Sequence, residues 1–252
     1  MNIYSQKYLG KVFKTNSYGN LKVVKYVTAK EVHVLFEDTG YTTVCSIDQI
    51  QRGCVKDKLK PSVYCVGIVG NTATIDEHGD HHKSYRVWQR MLERCYSERS
   101  QKNNPTYKHC SVSDYFKHYS YFKEWCESQI GYNNNAWEID KDILLKGNKV
   151  YSEDTCCFVP KEINALFVKS DARRGNLPIG VKWCRRDKVF ISSACLHGKS
   201  KHLGSFDNAI CAFLAYKQAK EAYIKEVAEK WKDQIDIRVY EALMNYEVEI
   251  DD

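Results

Sequence analysis

The sequence predicts an α+β protein whose strands and helices are segregated along the chain. A small β-barrel opens it, a strand–loop–strand–helix module with flanking helices fills the middle, and a three-stranded sheet plus helix follows. Three observations carry this reading. Residues 21–36 mix alternation with β-branched and aromatic side chains, residues 85–96 and 119–129 place apolar side chains at three- and four-residue spacing, and residues 179–206 read as hairpins leading into an alanine-rich run. Charge makes up 28% of the 252 residues and hydrophobic side chains 43%, which excludes wholesale disorder and collagen-like repeats.

In chain order, Leu21–Val27 and Glu31–Phe36 are the first strands, separated by turn residues at Tyr18-Gly19-Asn20 and Asp38-Thr39-Gly40. Val44–Ile47 and Cys65–Gly70 complete the strand-rich block, and a Tudor-like barrel over 1–70 is expected. Residues 71–84 are polar and read as a linker. Val87, Met91 and Cys95, with Trp88 and Leu92, share one helix face, as do Phe122, Trp125 and Cys126, so these aromatics are expected in a core. Residues 85–170 form the central module, 175–232 the last sheet and helix, and 233–252 an acidic tail with seven acids against Arg238.

Charge is uneven. Residues 1–70 carry ten basic side chains against five acidic, and residues 169–224 carry eleven against four. Blocks of this kind suit a polyanion. No apolar run approaches the roughly 18 residues of a membrane span, so no membrane partner is expected. The first seven residues lack the apolar core of an export signal, and a cytoplasmic protein is expected. The eleven cysteines include no Cys-x-x-Cys pair and are read as free, mostly buried thiols. A structural zinc gathered by Cys95, Cys110, Cys126 and Cys157 is the disfavoured alternative.

The most informative run is Trp137-Glu138-Ile139-Asp140-Lys141-Asp142, then Lys146-Gly147-Asn148, then Cys156-Cys157-Phe158-Val159-Pro160-Lys161-Glu162-Ile163-Asn164. Pro160 is expected in the first helical turn. This strand–loop–strand–helix resembles the ββα-metal module of HNH endonucleases, particularly phage-borne homing members. The resemblance implies a divalent metal, magnesium or manganese, with Asp140 at the first metal position and Asn164 at the last. Lys141 stands where the family's general-base histidine should be, and Thr155 where its central asparagine should be. An ammonium of ordinary pKa, about 10.4, takes no proton from water at neutral pH. Asp140 and Asp142 beside it would push that value higher still. Protonated Lys141 would serve as a phosphate contact. The alternative for Asp140 and Asn164 is a pair that ties the loop through side-chain hydrogen bonds.

Residues 178–224 are similar to the ethylene-response-factor DNA-binding domain of plants, through Gly180-Val181, Arg185-Arg186, Phe190, Leu203-Gly204-Ser205-Phe206, Ala209, Ala212 and Tyr216. The hairpin should turn at Arg186-Asp187-Lys188, and Asp207 should cap a helix running to Trp231 whose alanine face (Ala209, Ala212, Ala215, Ala219, Ala222) admits the sheet closely. The resemblance implies double-stranded DNA as partner, met by Lys182, Trp183, Arg185, Arg186, Lys188 and Phe190, with Lys199 and Lys201 on phosphates. Alternation separates Trp183 and Arg185 from Lys182, Cys184 and Arg186, and the first pair is preferred as the DNA-facing set.

Three functions are therefore in play. The first is a DNA-binding protein of HNH descent whose cleavage is weakened or lost. The second is a working nicking or cleaving endonuclease whose base comes from elsewhere, with His81, His82, His109 and His118 as sources. The third is a phage protein-interaction factor acting through the N-terminal barrel or the acidic tail. A phage-encoded protein would work in the host cytoplasm.

Overall fold

A computed structural model describes residues 3–168, 176–250 and 252. Residues 1–2, 169–175 and 251 lie outside the described residues. The protein is of mixed α+β architecture with several small sheets. It divides into two compact units, Met1–Trp125 and Cys126–Asp252. Among the described residues no helix is long and apolar enough to cross a membrane.

In the first unit, a helix α1 (Ile3–Tyr8) leads into four antiparallel strands, β1 (Val12–Lys14), β2 (Asn20–Thr28), β3 (Glu31–Phe36) and β4 (Thr42–Cys45). They pair in sequence order. Alternation works as expected: Leu21 pairs with Phe36 and Val23 with Val34, all buried, above Val32, Ile50 and Val55. The predicted barrel is not closed. Its two edge strands have only three and four residues, too few ladder bonds to zip an edge shut. The expected Val44–Ile47 strand also stops at Cys45, because Ser46 and Gln49 form a reciprocal capping box that starts helix α2 (Ile47–Gln51). Nor is Cys65–Gly70 a strand. Tyr64 and Cys65 take positive φ and turn the chain so that Val63 bridges Gly67.

Helix α3 (Lys83–Tyr96) buries Trp88, Met91, Leu92 and Cys95. The Trp88 indole donates to the Phe116 carbonyl at 2.6 Å, and Ser84 meets the Tyr119 hydroxyl at 3.0 Å. Phe116, Phe122 and Trp125 pack ring on ring. Of the aromatics expected in a core, Trp88 and Phe122 are fully buried and Trp125 is half-buried.

The second unit contains an antiparallel pair, Trp137–Asp140 and Cys157–Pro160, followed by a one-turn helix, Lys161–Asn164. Pro160 ends the second strand and caps that helix, one residue earlier than expected. Three further strands, Val181–Cys184, Val189–Leu196 and Lys199–Phe206, form an antiparallel meander. A long helix, Ala209–Trp231, packs across it. Its cap is Asn208, accepting from Ile210 N–H at 2.7 Å, in place of Asp207. The helix face against the sheet is less uniformly small than expected: Ala212 is buried with Phe213 and Tyr216, while Ala222 is exposed. The tail forms a last helix, Ile237–Met244, whose Val239 and Leu243 are buried, as is Val248 beyond it. It covers the core of this unit.

Candidate nucleic-acid interface and the loop at Lys141

Asp140 ends its strand with the carboxylate turned into the following loop. Its Oδ1 accepts from the N–H groups of Asp142 and Ile143 at 2.7 and 2.8 Å. Burial pushes its pKa up, and these two amides pull part of the way back. The tie is the loop-closing arrangement that alternates with metal ligation at this position.

Lys141 is 4% exposed. Its Nζ donates to Asp142 Oδ1 at 2.5 Å and to the Asn148 carbonyl at 2.8 Å, and it lies 5.7 Å from the Tyr151 ring centre. The expected phosphate contact is thereby overturned, because the ammonium is folded into the loop and already paired. Asn148 answers it. Its side chain donates to the Lys141 carbonyl at 2.8 Å and to the Val150 carbonyl at 2.7 Å, and accepts from Val150 N–H at 3.0 Å. Thr155, at the position of the family's central asparagine, ties the far end of the loop through Val150 and Ser152.

Asn164 donates from Nδ2 to Glu138 Oε2 at 2.9 Å. Alternation puts Glu138 on the same strand face as Asp140. Magnesium or manganese prefers hard oxygen ligands, which the second Asp140 oxygen and the Asn164 amide oxygen are. Asn164, however, is joined to Glu138 and not to Asp140. Among the described residues no three His, Cys, Asp or Glu side chains converge as metal ligands, the four cysteines considered for zinc included. Asn148 and Glu138 were not singled out in the sequence. The Gly147-Asn148 turn was the available cue for the first, and strand parity with Asp140 for the second.

In the three-stranded sheet the hairpin turns at Arg185–Lys188, with Lys188 at φ +52°. Directly paired residues share a face, so Val181, Ser192 and Ala194, all buried, mark the side that the long helix covers. Trp183 and Phe190 lie on that same side as a cross-strand pair, with ring centres 4.7 Å apart. Trp183 of the preferred set thus shares the helix-packed side, where it is still 44% exposed. The uncovered face presents Lys182 and Cys184 with Ile191, Ser193 and Ser205, and Trp183 stands at the margin of the helix-packed side. Arg185, Arg186 and Lys188 project from the turn, all exposed, and Lys199 and Lys201 are exposed at the start of the third strand. Arg186 is held by Asp187, Nε to Oδ1 at 2.8 Å and Nη2 to Oδ2 at 3.0 Å. The eight expected contacts thus fall into a basic turn, one open-face lysine, and, on the helix-packed side, two exposed distal lysines and two aromatics.

Comparison with protein-family models, with curated proteins and with solved structures finds no match to this chain.

Proposed function

We propose that this protein binds double-stranded DNA, is of HNH homing-endonuclease descent, and has weakened or lost strand cleavage. The observation that carries the second half is the state of Lys141. A general base needs an open lone pair within reach of water, and this nitrogen is buried and donates to Asp142 and to the Asn148 carbonyl. Losing a positioned base costs about 10²–10⁴-fold in rate.

The binding half rests on charge. Six basic side chains stand against the single acid Asp187 between residues 178 and 206. The Arg185–Lys188 turn and the Lys199–Lys201 segment lie at opposite ends of the eight-residue middle strand. By strand rise that is a separation of roughly 25 Å. Lys182 and the Arg185–Lys188 turn offer phosphate contacts at one end of the sheet, and Lys199 and Lys201, paired with Leu196 and Ala194 on the helix-packed side, add exposed ammonium groups on the edge strand at the other. The magnesium or manganese of the resemblance belongs to this proposal only as a remnant site on Asp140 and Asn164, and no chemical step is assigned to it.

Supercoiled plasmid incubated with magnesium or manganese should stay supercoiled, while duplex DNA should be shifted with an affinity that falls linearly in log salt. Lys141→His should not restore nicking, since an imidazole leaves the Asn148 carbonyl without its donor. Nicking by the wild type that Asp140→Ala abolishes would establish the working nuclease in place of this reading. Failure to shift duplex at any salt would leave the protein-interaction function standing.

A further inference from the structure

The first 30 residues hold six lysines and no acid. Strand register sorts them. Phe13 pairs with Leu21 and Leu21 with Phe36 on the core side, so the other face of the sheet is the one carrying Lys14 opposite Asn20, and Lys22 between Val12 and Leu35. Lys22 shares a row that crosses all four strands: Val12, Lys22, Leu35, Thr42. The next row holds Lys25, His33 and Val44. Lys14, Lys22 and Lys25 are all exposed, and their ammonium groups have no ion-pair partner among the described residues.

Two further features narrow what fits here. The aromatics of these strands, Phe13, Tyr26 and Phe36, pack on the core side. Among the described residues, the strands therefore put no exposed aromatic platform of the kind on which unpaired bases stack on the open face. It offers instead a strip of lysines about 15 Å long, by strand rise, set among Val12, Val44 and Thr42. Lysine is a mobile point charge suited to phosphate without base reading.

We infer that the open face of the N-terminal sheet, through Lys14, Lys22 and Lys25, is a second contact surface for the sugar–phosphate backbone of duplex DNA, separate from the three-stranded sheet of the other unit. It rests on the DNA-binding reading and extends it to a sequence-independent surface. Such a surface raises affinity for any duplex and leaves site selection to the other module.

The test is fluorescence anisotropy of the full chain on a random-sequence duplex across a sodium chloride series. Lys14→Gln/Lys22→Gln/Lys25→Gln should flatten the log K against log salt slope by about 2 to 3. At moderate salt it should lower affinity on the order of tenfold. The matching triple Arg variant should keep the wild-type slope, and far-ultraviolet dichroism and melting should report both variants folded. A wild type that shifts no duplex sinks the DNA-binding reading and this inference together. A wild type that binds while the Gln variant keeps its slope sinks this inference alone. So does tighter capture by this face of an acidic polypeptide, such as polyglutamate, than of duplex, lost in the Gln variant.

Discussion

A carboxylate whose pKa is raised by burial works against the fold whenever it is ionised, and Asp140 is in that position. Its folded-state value lies above the unfolded one. The stability it allows is thus fully present below the ordinary aspartate value of about 3.9 and is lost as pH rises through the folded value. Asparagine would keep the acceptor for the Asp142 and Ile143 amides and remove the charge. Asp140→Asn is therefore expected to have a higher urea midpoint than the wild type at pH 7, with the gap closing below about pH 3.9. Equal midpoints throughout would mean that solvent reaches the carboxylate. Glu162 behaves oppositely: the Lys230 ammonium, with the Trp231 indole, holds its carboxyl below the usual range. Its contribution is present at neutral pH and disappears as pH falls through the folded value. The fate of Lys141 was not legible from sequence, because lysine is almost never fully buried unless paired. The pairing depends on Asn148, seven positions away, and on how the intervening loop closes.

At the scale of elements, the joint between the three-stranded sheet and the long helix is set by Gly180. It sits at φ +76°, and a Cβ there would come within 2.0 Å of the Tyr216 ring. Gly180→Ala is expected to destabilise the protein by about 1–3 kcal/mol, read from thermal melting, because both the backbone and the ring must shift. A change under about 0.5 kcal/mol would show that the helix docks elsewhere. The elements themselves were largely readable. Glu31–Phe36 and Lys199–Phe206 have the predicted bounds, since alternation or hairpin spacing is unbroken there. The capping box at Ser46 and Gln49 was readable too, though the β-branched and thiol residues before it suggested a longer strand. Barrel closure and the side to which Trp183 turns were not. Alternation divides a strand into two faces, but the packing of a distant helix decides which face is covered.

Across the whole molecule all eleven cysteines are thiols outside any disulfide. Cys45, Cys95, Cys110, Cys126, Cys156 and Cys157 are buried, and Cys54, Cys65, Cys195 and Cys211 are exposed. Burial pushes the Cys45 thiol up to about 11 and Cys156 to about 12, so neither offers thiolate at neutral pH. A thiol-reactive chromophore at pH 7.5 should therefore label the four exposed cysteines within minutes and the six buried ones only in denaturant. Early labelling of the six would contradict the packing of both units. The two units also differ in how far apart in sequence their parts are joined. Antiparallel neighbours close the N-terminal sheet over short turns, whereas in the second unit Lys146 donates to Asp252 at 2.8 Å across 106 positions and to the Glu247 carbonyl at 3.1 Å. Val248 meanwhile fills its core. On the ribosome the first unit can acquire its pairings while the rest is still being translated. The second must wait for residues 247–252, so of the two units its apolar surface stays open longer and has the greater need of a chaperone.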